Sequence, residues 1–172
     1  MEIKIRQETK NDYDMVYHVV KSAFEHAKHT SGDEHNLVNR LRTSNAFVPQ
    51  LSLVAELNGK IVGHILFTEA EINETTQLML APLSVIPSQQ NRGIGGMLIT
   101  EGHRIAKNLG YEFSILVGHA HYYPRFGYIP ANRFGIKTTF EVPDENFMVL
   151  NLQGKNTKLN GMVRFAPEFG IE

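Results

Sequence analysis

Asn58-Gly59 stands between two long apolar runs, LSLVAEL (51–57) and KIVGHILFTEAEI (60–72). Both residues accept the positive φ that a two-residue β-hairpin turn requires, so the pair predicts that the flanking runs lie antiparallel and adjacent. A third run, TQLMLAPLSVI (76–86), is equally apolar. Pro82 inside it cannot donate to a ladder and marks a bulge or an edge. Three such runs in succession commit the middle of the chain to a sheet.

Helical periodicity appears on either side. EIKIRQ alternates like a half-buried strand, and TKNDYDMVYHVVKSAF then sets Met15, Val16, Val19, Val20, Ala23 and Phe24 at helical spacing, with Thr9 or Asn11 as cap. EHAKHTSGD reads as a loop, after which Asp33 caps a second helix, EHNLVNRLR, with Leu37, Val38 and Leu41 inward. Beyond the third strand, RGIGGMLITEGHRIAKNLG places Ile94, Leu98, Ile99, His103 and Ala106 along one helical face and stops at Gly110. YEFSILVG is a buried strand; KTTFEV, FMVLNL and GMVRF continue as strands and loops.

No repeat, low-complexity tract or linker interrupts the 172 residues, so one mixed α/β domain over 1–172 is expected. The formal charge of −1 offers nothing to nucleic acid or an anionic membrane, so any anionic ligand must be held locally. The absence of cysteine excludes disulfides, thiolate metal sites and cysteine nucleophiles, and fits a reducing compartment. The N-terminus is charged from residue 2 and lacks the apolar core of a signal peptide, and no apolar stretch matches a membrane span. A cytoplasmic protein is the expectation.

The stretch PSQQNRGIGGMLI, residues 87–99, puts Gly93, Gly95 and Gly96 between a strand and a helix. Glycines there let consecutive N–H groups converge on an anion, and the helix N-terminus adds its own unpaired donors. The same glycines would also serve a tight turn and close helix packing. The spacing fails both common nucleotide loops: counting from Gly93, the third glycine of G-x-G-x-x-G falls on Leu98, and no Gly-Lys-Ser/Thr is present. What remains is Gln90-x-x-Gly93-x-Gly95 after a strand ending in LSVIP.

LSVIPSQQNRGIGGMLI, with LAPLSV before it and YYPRFGY downstream, resembles the GNAT superfamily of acyl-CoA-dependent N-acyltransferases, in a bacterial branch with a Pro inside the fourth strand. The resemblance covers nearly the whole chain. It implies a mostly antiparallel twisted sheet of about seven strands flanked by helices, with strands 4 and 5 splayed at the cofactor and a C-terminal hairpin. It also implies acetyl-CoA as co-substrate and no metal. Leu83, Ser84 and Val85 inherit the strand that pairs with the pantetheine arm, and an amide near Leu83 could polarise the thioester carbonyl. The loop Gln90, Asn91, Arg92, Gly93, Ile94, Gly95 and Gly96 inherits the pyrophosphate, with Arg92 either supplementing the backbone there or merely solvated.

Tyr123 stands where the family's Y-x-x-x-G-F/Y signature places the general acid. A phenol near its reference pKa of about 10 carries its proton at neutral pH and can pass it to a departing thiolate. Tyr122, Phe126 and Tyr128 read as aromatic packing. The implied activity is acetyl transfer to a primary amine by direct attack in a ternary complex; a non-catalytic acyl-CoA sensor on the same fold is the alternative. The chain departs from the family in having LVGHAHYY where an Asn and a longer helix are usual, and Thr76 and Gln77 where a glutamate is often found. The general base is therefore unassigned among Glu69, Glu71, Glu74, His119 and His121.

Eight histidines raise the question of a metal, with His26 and His29 one helical turn apart and His35 nearby, but no HExxH or acidic ligand at a defined offset accompanies them. Solvent-exposed or substrate-facing histidines are the reading adopted. Asp33 and Glu34 could draw an ammonium toward the acceptor side. FMVLNL and GMVRFA leave apolar edges like those relatives use to pair subunits, so both a homodimer and a monomer are expected forms.

Overall fold

The structure, a computed structural model, describes residues 2–27 and 30–171. Strand β1 (Ile3–Gln7) leads through a 3-10 turn into helix α1 (Tyr13–Phe24), followed by α2 (Glu34–Arg42). The antiparallel meander is β2 (Phe47–Leu57), β3 (Lys60–Ile72) and β4 (Thr75–Val85). Helix α3 (Ile94–Asn108) then precedes β5 (Phe113–Val117), the two-residue strands β6 (Ile129–Pro130) and β7 (Ile136–Lys137), β8 (Phe147–Asn151) and β9 (Gly161–Arg164).

Asn58 (φ 51°) and Gly59 (φ 80°) form the expected turn. Asn73 and Glu74 make a second left-handed turn between β3 and β4, at φ 48° and 63°, where the sequence carries no glycine to announce it. The nine strands run β1-β2-β3-β4-β5-β8-β6, with β9 on the far end of β3 and on β7. All these pairings are antiparallel except β4 with β5 and β7 with β9. β4 bulges at Ala81 and Pro82, between the register pairs Phe67↔Leu80 and Ile65↔Leu83. Helix α3 covers one face of the sheet through Leu98 and Ile99 against Leu53, Ile65 and Phe67. Helices α1 and α2 cover the other through Val16, Val20 and Leu41 against Val54 and Leu66. Among the described residues no helix is long and apolar enough to cross a membrane.

Several expectations need correction. KTTFEV is not a strand beyond Lys137, because the Thr138 hydroxyl accepts from the Phe140 amide at 2.9 Å and turns the chain. The C-terminal segments form no hairpin with each other: β8 lies between β5 and β6, while β9 pairs with β3 and β7. β9 pairs with β3 through Val163 and Arg164 and with β7 through Gly161 and Met162. Met15 is 47% exposed and flanks the α1 stripe instead of belonging to it. Thr9, not Asn11, precedes the entry turn, where the Asp12 carboxylate accepts from the Thr9 amide at 2.8 Å. Asp33 does sit at the N-cap of α2, but its carboxylate engages Asn36 and Arg40 side chains, not the helix amides.

Polar groups fasten the layers where apolar contact is thin. Arg6 on β1 bonds Asp12 at 2.7 Å and Glu56 at 3.1 Å, and its guanidinium holds the Asp12 carboxyl down at about 2. Arg42 of α2 meets Glu8 at 2.6 Å in a pair almost wholly buried, and Glu8 accepts from the Ser52 hydroxyl, which touches His64 Nε2 at 3.1 Å. Burial holds His64 down at about 4, and does the same to His103, whose Nε2 lies 2.9 Å from the Tyr128 hydroxyl. A histidine kept neutral by folding protonates first in the unfolded chain, so stability is complete above the unfolded value and lost as pH falls toward the folded one. Urea unfolding should therefore show stability falling between about pH 6.5 and pH 4, by on the order of 2–3 kcal/mol per histidine. Asp12 adds a further loss only below about pH 4. A flat profile from pH 6.5 to 4 would show that neither ring is held neutral.

Candidate active site

The parallel ladder between β4 and β5 consists of Leu78↔Ser114 and Met79↔Ile115. Beyond it the strands separate as the resemblance implies, so the β4 edge from Leu80 to Val85 has no strand beside it. The bulge at Ala81 and Pro82 bends this stretch, and Leu83, Ser84 and Val85 pair on their other side with Ile65, His64 and Gly63. Leu83 packs toward the α3 face, whereas Ser84 is 1% exposed and its hydroxyl is buried without a partner.

The loop after β4 is held open by specific devices. Gln90 is exposed, and its Nε2 donates to the Val85 carbonyl at 2.9 Å, which pins the loop to the strand end. Asn91 (φ 63°) and Gly93 (φ 83°) are left-handed, and Gly93 caps α3 with no side chain serving the helix amides. Among the described residues, no protein group accepts from the amides of Asn91, Gly93, Ile94, Gly95 or Gly96. Five such donors around a helix start are the kind of group on which an anion can be held. Arg92 is exposed at the loop tip, and Ile94 is buried and anchors the helix to the core. A shallow concavity of about 470 Å³ opens beside the loop, lined by Ile5, Gly93, Gly96, Met97, Thr100, Glu101 and Phe126.

The aromatic segment closes over this loop. Tyr123–Phe126 form a 3-10 turn whose start is tied down by the Tyr122 and Tyr123 amides donating to the His119 carbonyl. A Cβ on Gly95 would stand 2.7 Å from the Tyr122 hydroxyl, and one on Gly96 would stand 3.2 Å from Phe126 Cζ. The glycines after Gly93 thus make room for rings, in line with the close-packing alternative that the sequence left open. Tyr123 lies edge-on to Tyr122 (5.0 Å) and Tyr128 (6.0 Å), with its ring where a Cβ on Gly118 would be. Burial pushes its phenol up, with Tyr122 adding to the shift, so the proton stays on. Its hydroxyl has no hydrogen-bond partner among the described residues. Tyr128 is fully buried, its hydroxyl bonded to Ser114 at 2.7 Å and to His103.

Sequence reasoning missed two supports. Asn146, from the turn before β8, donates to the Gly118 carbonyl at 3.0 Å and fastens the end of β5. The Ser114–Tyr128–His103 group was hidden because its members lie on three separate elements. Of the candidate bases, Glu69 accepts from Tyr111 at 2.6 Å and Glu71 from Thr76 at 2.9 Å. Glu74 sits in the β3–β4 turn, about 30 Å of strand from the glycine loop. His119 and His121 are exposed beside Tyr123. Glu34 is engaged by Thr30, Asp33 by Arg40, and His35 by the Tyr17 ring. His26 is exposed, and His29 lies outside the described residues. Among the described residues no three His, Cys, Asp or Glu side chains converge as a metal site would require.

Known proteins resemble this chain over most of its length. The family model described as "Acetyltransferase (GNAT) domain" matches residues 4–131. An uncharacterized N-acetyltransferase, YjhQ, from Escherichia coli (strain K12) is 36% identical over 165 residues, covering 91% of this chain and 88% of its own. A GNAT family acetyltransferase from Brucella melitensis, solved in complex with acetyl-CoA, superposes at TM-score 0.82 with 30% identity and 98% of each chain covered. The fold also matches the GNAT family N-acetyltransferase YhbS from Escherichia coli, solved with CoA, at TM-score 0.86 and 23% identity over 99% of this chain and 93% of that one.

The contact between Gly118 and Tyr123 gives a direct test. Gly118→Ala should cost about 1–3 kcal/mol in denaturant unfolding, because the new methyl meets a ring held on three sides. A neutral substitution would show that the ring is not seated there.

Proposed function

Since this chain belongs to the GNAT acetyltransferase family, we propose that it transfers the acetyl group of acetyl-CoA to a primary amine by direct attack in a ternary complex. The observation that carries the reading is the set of amides of Asn91, Gly93, Ile94, Gly95 and Gly96, which have no acceptor among the described residues and follow the end of β4, where its pairing with β5 has ceased. Those donors suit a pyrophosphate, and the unpaired β4 edge at Leu83–Val85 suits the amide groups of a pantetheine arm. An acetyl-CoA-bound relative with the same fold over 98% of both chains supports the pairing of this site with that co-substrate.

Acetyl-CoA supplies an acyl thioester. The amine nitrogen forms the new C–N bond, the C–S bond breaks, the thiolate takes a proton, and the amine gives one up. Tyr123 is the proposed proton donor, since its buried phenol is neutral over the working range. The same burial disfavours a phenolate, so transfer must accompany C–S cleavage instead of preceding it. A backbone amide near Leu83 is the proposed oxyanion donor. His119 and His121 are the exposed groups near enough in sequence to Tyr123 to accept the amine proton through solvent.

Two measurements test this. CoA at about 100 times its dissociation constant should raise unfolding stability by roughly 2.7 kcal/mol; no stabilisation would sink the reading. Tyr123→Phe keeps the ring and should keep CoA affinity, while single-turnover acetyl transfer to the best acceptor of an amine library should fall about 10²- to 10⁴-fold. The tight packing of Tyr123 against Gly118 and Tyr128 is what favours the acyl-CoA sensor as a second reading. CoA binding without turnover on any amine would decide for it.

A further inference from the structure

Tyr122 is the neighbour of the proposed acid, and its ring alone would account for the aromatic packing. Its hydroxyl is not explained by that packing. The oxygen lies 2.7 Å from the position a Cβ on Gly95 would take, and Leu83 Cδ2 lies 3.7 Å from the same point. It therefore stands where the glycine loop and the unpaired edge of β4 meet. Among the described residues it has no hydrogen-bond partner. A phenylalanine would fill the same space without a half-buried, unpaired oxygen, whose desolvation is a cost with no return inside the protein.

The surroundings favour an anion at that oxygen. The amides of Gly95 and Gly96 are unpaired on one side, and the Arg125 guanidinium sits 5.5 Å from the centroid of the Tyr122 ring. Burial raises the Tyr122 phenol and Arg125 opposes the shift, with a net rise, so the group is a donor at working pH. We propose that Tyr122 is a cofactor-binding residue whose hydroxyl donates to the phosphate bearing the pantetheine arm, at the junction of the Gly95 amide and Leu83. The assignment rests on the acyl-CoA reading of the site and divides the labour of the adjacent tyrosines: Tyr122 holds the co-substrate and Tyr123 serves the chemistry. It also gives Gly95 its reason, since any side chain there would displace the hydroxyl.

Calorimetric titration with CoA separates this from packing. Tyr122→Phe should bind CoA about tenfold more weakly, the loss of one hydrogen bond to a charged group, and its KM for acetyl-CoA should rise by the same factor with kcat nearly unchanged. With S-acetylpantetheine, which has no phosphate, the variant and wild type should share one kcat/KM. Gly95→Ala should melt lower than wild type, and adding Tyr122→Phe should restore the melting temperature, because the nearest ring carbon is an ordinary 3.8 Å away. That double variant also reads the affinity loss in a fold free of the clash. Equal CoA affinity in wild type and Tyr122→Phe overturns the inference alone. An equal deficit on S-acetylpantetheine removes the phosphate from it. A wild-type chain that binds no CoA overturns the acyl-CoA reading itself.

Discussion

The parallel pairing of β4 with β5 ends after two residues, and the candidate site exists because it ends there. A β-sheet normally satisfies every backbone donor by pairing it, and a central strand with a bare edge is costly unless something else takes its place. Here the bulge at Ala81 and Pro82 bends β4 while β3 continues to hold its other edge, so the strand is both fixed and open. β5 cannot follow it, because Asn146 and the Gly118 amide tie its end to the segment before β8. The gap is thus defined by what restrains each wall. Loop, helix start and aromatic turn all gather around this gap, where a central strand of the sheet leaves one edge unpaired among the described residues.

The two faces of the sheet are built differently, and the difference assigns their duties. The α3 face carries the tyrosines, the glycine loop and Leu83. The α1–α2 face beneath the same strands carries Ser52, His64 and Ser84, with Glu8 and Arg42 completing a buried polar group. Burying an ion pair and an imidazole is expensive, and such groups specify an arrangement more than they strengthen it. In this chain they join the segment after β1, α2, β2 and β3, fixing how the helical layer sits on the meander that holds β4. His64 stays neutral because desolvation outweighs the nearby Glu8 charge.

What could be read in advance follows what depends on local chemistry. Asn58-Gly59 dictates its turn through φ alone, the α1 and α3 stripes follow from period, and Pro82 disrupts β4 through its missing N–H; all are properties of short windows. The Asn73-Glu74 turn escaped because asparagine and glutamate adopt left-handed φ only where the paired strands impose it. The course of the last strands escaped as well, since FMVLNL and GMVRF carry the same alternation whichever partner they find, and long-range pairing chooses β5 for one and β3 for the other. Asn146 was invisible as a support for β5 because its partner lies 28 residues away.

The glycine run shows how two demands on one segment can be met by the same residue type. A phosphate cradle needs backbone free of side chains on its outer side, and Gly93 supplies the left-handed turn that aims successive amides there. Close packing of rings needs the inner side free as well, and Gly95 and Gly96 leave it to Tyr122 and Phe126. Either demand alone could be met with fewer glycines, since Ser or Ala at the second position would still turn and still donate its amide. Each residue has a single Cβ direction, and at Gly95 and Gly96 that direction is taken by the Tyr122 hydroxyl and the Phe126 ring. Packing alone therefore accounts for Gly95 and Gly96, and the same rings brace the first turn of α3, whose leading amides have no protein acceptor among the described residues.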